Sequence, residues 1–274
     1  MKSLRRRLSR IRARLLGSRS RAVPAGPATG LRLGTEAASA DYLGEANEVP
    51  VQEAIRDGLV PGAVFVDVGA NIGFFSLMAA RLVGPTDRVI AFEPVADNVA
   101  AIHANSDRNR LSIEVIAAAV GEEHEGTVRL WLTQHPGGAT ISSADVPSDV
   151  TGYTDVEVVS LDGLLDAGLL SVPTVMKIDV EGAELSVLRG ARMLLASHHP
   201  RLVIEIDDPT DGGLAWKRDA VIQELTDHGY EVETLPPSYA GSGWRVEHLL
   251  AVLPRPRPRV GGGRPSGRSV DHGV

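Results

Sequence analysis

Two short segments hold the residue types that a group-transfer reaction needs. The first is Val64-Phe-Val-Asp-Val-Gly-Ala-Asn-Ile-Gly-Phe-Phe-Ser, an apolar strand running into a Gly-x-x-x-Gly turn and then a helix. Gly69 and Gly73 permit close backbone approach at the carboxyl end of the strand, where open α/β sheets bind ligands. Asp67 is expected to point a carboxylate into that crevice. Glu93 ends the next strand in Ile90-Ala-Phe-Glu-Pro, where an acid can accept hydrogen bonds from both hydroxyls of a ribose. A dinucleotide fingerprint requires a glycine in the middle of the loop, where Asn71 stands here, and Asp67 repels a pyrophosphate. The loop favours a cationic nucleoside such as S-adenosylmethionine over a nicotinamide dinucleotide.

The second segment is Lys177-Ile-Asp-Val-Glu-Gly-Ala-Glu. Strand alternation puts Lys177 and Asp179 on one side, with Glu181 and Glu184 following on the turn. Asp179 suits removal of a proton from an acceptor hydroxyl, or ligation of a metal that acidifies it. Lys177 either orients that carboxylate or serves as a buried ion-pair partner, and Glu184 equally suits a helix start. Glu205 ends the neighbouring strand, so Asp179 and Glu205 together are candidates for Mg²⁺. His135 precedes Gly137-Gly138 in a polar loop, as a base or as a surface residue. His198-His199 suits a helix end, and Trp131, Trp216 and Trp244 read as packing residues.

The elements that must position these groups alternate. Strands are predicted at 64–68, 88–92, 111–117, 127–132, 156–160, 175–178, 202–206, 230–234 and 248–252. Helices are predicted at 73–83, 96–106, 183–196 and 215–228. This pattern implies crossover units, hence an α/β, doubly wound, mainly parallel sheet. The last two strands suit an antiparallel pair at its edge.

Val66-Asp-Val-Gly-Ala-Asn-Ile-Gly, Ala91-Phe-Glu-Pro, Ala117-Ala-Ala-Val-Gly, Gly137-Gly-Ala-Thr, Val159-Ser-Leu-Asp and the Lys177–Glu184 run together resemble the FkbM family of S-adenosylmethionine-dependent methyltransferases. The resemblance covers roughly residues 41–253. It implies a class I methyltransferase (Rossmann-like) fold, a seven-stranded sheet with one antiparallel strand in its last pair, and O-methylation of a saccharide or natural-product-like small molecule. The expected cofactor contacts are Asp67, Gly69, Asn71, Gly73 and Glu93, with Asn98 and Ala118 beside them. The expected catalytic groups are Asp179, Lys177 and Glu181. A nucleotide-dependent oxidoreductase and a non-catalytic binding protein on the same fold are the competing readings.

Composition narrows the field further. With no cysteine among 274 residues, disulfides, thiolate metal sites and cysteine nucleophiles are excluded. The net charge of −7 is unevenly spread: nine Lys/Arg and no acid lie in residues 1–28, and five Arg against Asp271 lie in 254–274. Residues 29–253 therefore carry 14 Lys/Arg against 34 Asp/Glu, which disfavours a nucleic-acid partner. Residues 1–34 read as a basic extension and, from residue 17, a linker. Residues 35–253 read as one domain, and 254–274 as a Pro/Arg/Gly-rich tail. Leu4, Leu8, Ile11 and Leu15 suit a short basic amphipathic helix with weak affinity for a membrane surface. No segment reads as a signal peptide or membrane span, so a cytoplasmic location is expected.

Overall fold

The computed structural model describes residues 19–34, 42–44, 48–84, 88–124, 126–133, 139–140, 150–238 and 245–254. Residues 4–15, where a basic helix is expected, His135, Trp244 and residues 255–274 lie outside the described residues.

The chain begins with an antiparallel hairpin, β1 (Ser20–Ala22) and β2 (Arg32–Gly34), followed by α1 (Val49–Gly58). Then come β3 (Val64–Val68), α2 (Phe74–Val83), β4 (Arg88–Phe92), α3 (Ala96–Asn109) and β5 (Glu114–Ile116). A second, smaller sheet follows in β6 (Ala119–Val120), β7 (Thr127–Thr133), β8 (Ala139–Thr140) and β9 (Val150–Val159). The rest is α4 (Leu161–Asp166), β10 (Val175–Ile178), α5 (Glu184–Arg189), α6 (Arg192–His198), β11 (Arg201–Asp208), α7 (Asp211–Asp227), β12 (Glu231–Thr234) and β13 (Arg245–Val252).

The main sheet has seven strands in the order β12-β13-β11-β10-β3-β4-β5. Strands β11, β10, β3, β4 and β5 pair in parallel, and β13 runs antiparallel to both β11 and β12. The reversed strand thus sits one in from the edge. Val66, Val68, Ile90, Met176, Ile178, Leu202 and Ile204 bury one face against α4–α7. Phe65, Val89, Val175, Val203 and Leu250 bury the other against α1, α2 and the hairpin. Burial on both faces is why the central strands are mostly apolar, with Asp67 in β3 and Lys177 in β10 as charged exceptions.

Two sequence expectations are corrected. The region from residue 17 expected to be a linker is folded from residue 20 to residue 34. Val23, Ala28, Leu31 and Leu33 are at most 2% exposed and join the core beneath α2. The single helix expected over 183–196 is two, broken at Gly190-Ala191. A side chain at Gly190 would collide with the carbonyl of Gly121, so the chain passes there without one. The helices α1 and α4 were not expected. Trp216, expected in the core, is 65% exposed on α7.

Candidate functional site

The strand β3 ends in the turn Gly69-Ala70-Asn71-Ile72-Gly73, and three of its residues take positive φ: Gly69 (82°), Asn71 (51°) and Gly73 (84°). Glycine tolerates that region at no cost, and asparagine is among the few others that do. At Gly69 the need is steric as well, because a Cβ would run into the Asp179 carbonyl oxygen. The turn can therefore lie against the end of β10, and the Asp179 N–H donates to Val68 O at 2.9 Å.

A crevice open to solvent lies above this junction, with about 610 Å³ of empty space between its walls and the solvent. Gly69, Asn71, Glu93, Asn98, Ala118, Asp179 and Glu181 all line it, so seven of the ten expected site residues meet in one place. Glu93 is braced at its rim. Its carboxylate accepts from Asn71 N (2.8 Å), Val95 N (2.8 Å) and Asn98 Nδ2 (3.2 Å). Burial pushes the carboxyl up to about 7 despite those three donors. Leu130 and Ala119, from the base of the second sheet, wall the far side.

The other three expected residues stand behind the crevice. Asp67 is 1% exposed and accepts from Ser76 Oγ at 2.5 Å, so it supports the loop from beneath. Gly73 caps α2 and packs on Ile102. Lys177 is 2% exposed, with Nζ 2.6 Å from Asp179 Oδ2 and 4.6 Å from the centre of the Phe75 ring. Burial opposes its charge, but Asp179, Glu48, Asp67 and Glu205 outweigh that and hold it well above the ordinary lysine value. The two roles open to Lys177 meet in one contact, a buried ion pair that holds one oxygen of Asp179.

Glu181 takes φ 50°, an unusual conformation for a residue without a short polar side chain. Burial first, then Asp179, Asp207, Glu205 and Glu184, push its carboxyl up to about 9. Burial and the neighbouring acids thus favour its uncharged form, which can donate. Glu184 is 2% exposed and accepts from Gly182 N at 2.8 Å, closing the start of α5.

The two acids expected to share Mg²⁺, Asp179 and Glu205, are not grouped with each other; each has a nitrogen partner of its own. Lys177 already occupies the cation position on Asp179, and Glu205 Oε2 lies 2.7 Å from His248 Nε2. His248 and Glu48 went unrecognised in the sequence. Glu48 precedes α1, with Oε2 3.5 Å from His248 Nε2. The antiparallel pairing of Glu205 with His248 was the missing signal, since nothing local joins residues 43 positions apart.

A family model described as "Methyltransferase FkbM domain" matches residues 67–232. The chain is 31% identical over 262 residues to AMB antimetabolite synthetase AmbE of Pseudomonas aeruginosa, covering 76% of this chain and 12% of that much longer protein. It is 31% identical over 212 residues to 31-O-demethyl-FK506 methyltransferase FkbM of Streptomyces tacrolimicus, covering 67% of this chain and 79% of that one. It is 30% identical over 160 residues to hexuronic acid methyltransferase AglP of Haloferax volcanii, covering 54% and 59%. Among the described residues no helix is long and apolar enough to cross a membrane.

Proposed function

The chain belongs to the FkbM methyltransferase family, and from that premise we propose that it is an S-adenosylmethionine-dependent O-methyltransferase. Its acceptor is a hydroxyl on a saccharide or natural-product-like small molecule, in keeping with the names of the relatives above. The catalytic unit runs from the hairpin at residue 20 to β13, which moves the boundary expected at residue 35.

One observation carries the reading: the glycine turn, Glu93 and Asp179 converge on a single crevice from three adjacent strands. The residues there suit S-adenosylmethionine. Glu93 is placed to accept from ribose hydroxyls, and Ala118 and Leu130 give an apolar wall for adenine. Asn71, which lines the crevice, has its Oδ1 buried without a hydrogen-bond partner among the described residues, which suits a donor-bearing methionine end. When bound, the cofactor supplies an electrophilic methyl group on a sulfonium.

The chain's own residues then have to align the acceptor and take its proton. Asp179 faces the crevice with one oxygen held by Lys177, which fixes its orientation and leaves the other oxygen for the hydroxyl. Glu181, protonated, can donate to an acceptor oxygen beside it. Calorimetric titration of the purified protein with S-adenosylmethionine tests the proposal. Saturable binding is expected, and a folded sample that binds none at millimolar cofactor overturns it.

A further inference from the structure

The sheet register reveals an arrangement that the cofactor crevice does not use up. Phe92 pairs with Val68, Val68 with Ile178, Ile178 with Ile204, and Glu205 with His248. One residue further on, Glu93, Gly69, Asp179, Glu205 and His248 form a transverse row across β4, β3, β10, β11 and β13. The cofactor crevice takes the first three. Beyond Asp179 the row continues into Glu205 and His248, and Glu48 reaches His248 from the start of α1.

These last three residues come from three separate elements and lie among buried surroundings. Glu48 and His248 are 5% and 2% exposed at the side chain, and Glu205 is 13% exposed. One oxygen of each carboxylate and a ring nitrogen of the histidine all lie within 4.8 Å of one another. His248 Nε2 is 2.7 Å from Glu205 Oε2 and 3.5 Å from Glu48 Oε2. Neighbouring ligands around a small divalent ion, bound at roughly 2.0–2.2 Å, are themselves about 3–3.5 Å apart. The two nitrogen–oxygen separations bracket that spacing, and the two carboxylate oxygens lie within 4.8 Å of each other.

The charge points the same way. Lys177 is bonded to Asp179 and also faces Glu48 and Glu205, so three carboxylates stand against one lysine and an imidazole. A shared proton leaves this buried group at −1, whereas a divalent ion with a neutral imidazole brings it to zero. One nitrogen and two carboxylate oxygens suit Mn²⁺, Fe²⁺, Co²⁺ or Zn²⁺ better than Mg²⁺ or Ca²⁺, which prefer oxygen alone.

We propose that Glu48, Glu205 and His248 form a binding site for a divalent first-row transition metal on the acceptor side of Asp179. The ion is held by Nε2 and one oxygen of each carboxylate, and Glu205, the least buried of the three, stands next to Asp179 in the transverse row. There the ion can take an acceptor hydroxyl and lower its pKa, with Asp179 next to the departing proton. That role rests on the methyltransferase reading; the existence of the site does not.

The test uses the full-length protein, stripped with EDTA and dialysed, then titrated with ZnCl₂ by calorimetry and with MnCl₂ by electron paramagnetic resonance. One ion per chain is expected, and electron spin-echo modulation from an imidazole nitrogen should appear on bound Mn²⁺. His248→Gln and Glu48→Gln, checked for folding by circular dichroism, should each weaken binding by at least about 10–100-fold, the loss that even outer partners of a metal site cause. A folded wild-type protein that binds neither ion overturns the site. So does bound Mn²⁺ without nitrogen modulation, or binding that survives both substitutions. S-adenosylmethionine is titrated into the same samples: cofactor binding without metal sinks only the metal site, and metal binding without cofactor sinks only the methyltransferase reading.

Discussion

Replacing Glu93 by Gln is the sharpest perturbation of the proposed cofactor site. The side chain keeps its length but loses its charge, and one oxygen becomes a donor facing the N–H of Asn71 or Val95. Hydrogen bonds to an ionised acceptor are each worth about 1.5–3 kcal/mol, so S-adenosylmethionine should bind roughly 10–150-fold more weakly. The wild-type protein adds a second signature. Burial raises the Glu93 carboxyl from 4.5 to about 7, so the folded chain holds that proton more tightly than the unfolded chain does. Ionising Glu93 therefore costs the free protein stability as pH rises from about 4.5 to 7, at most about 3 kcal/mol. A ribose that hydrogen-bonds the carboxylate favours the ionised form, so cofactor affinity should rise about tenfold between roughly pH 6 and pH 8. In Glu93→Gln that rise should vanish. Calorimetry at three or four pH values reads both effects. Equal affinity in variant and wild type across that range would show that another acid holds the ribose.

Three further outcomes are expected. Asp179→Asn should leave cofactor affinity nearly unchanged while methyl transfer, followed with radiolabelled S-adenosylmethionine and an acceptor from a panel of hydroxyl compounds, falls by about 10²–10⁴-fold; full activity would remove Asp179 as the base. Gly69→Ala combines a positive φ with a collision against the Asp179 carbonyl, so cofactor binding should be lost and the thermal midpoint lowered. A variant binding like the wild type would show that the turn does not need that contact. Asn105 accepts from Gly34 N and donates to Ile72 O, both at 3.0 Å, while 1% exposed. Asn105→Ala strands two buried backbone groups and should cost about 2–5 kcal/mol in urea unfolding; a loss below the usual surface scatter of about 0.5 kcal/mol would mean that water replaces the amide.

The parts of the fold legible in the sequence are those whose signal is local. The strands 64–68, 88–92 and 175–178 appear where expected, because each is an apolar run closed by a glycine, an acid or a proline. The crevice was legible for the same reason: its residues lie at strand ends, and parallel strands bring their carboxyl ends together. The hairpin was not. Val23, Ala28, Leu31 and Leu33 are scattered among glycines and prolines, and the groups that hold the hairpin (Arg81, Asn105 and Asn109) come 50 to 80 residues later. Asp67 was expected in the crevice because it precedes the glycine loop, and Lys177 beside Asp179 because of strand alternation; neither signal fixes depth. Helix α1 was legible in principle, since Pro50 lies in its first turn and Val51, Ala54 and Ile55 share one stripe.

The place of β13 has a consequence for how the chain is assembled. It is the last strand in sequence, yet it lies between β11 and β12. The strands framing the cofactor crevice, β3, β4, β5 and β10, can pair before it exists. Neither Glu205 nor Glu48 can meet His248 until it arrives. The cofactor half of the transverse row rests on strands paired without β13, whereas the far half is complete only once β13 pairs with β11. Until then β11 presents a bare edge of unpaired amides and carbonyls, and an open edge of that kind is where one chain most readily pairs with another.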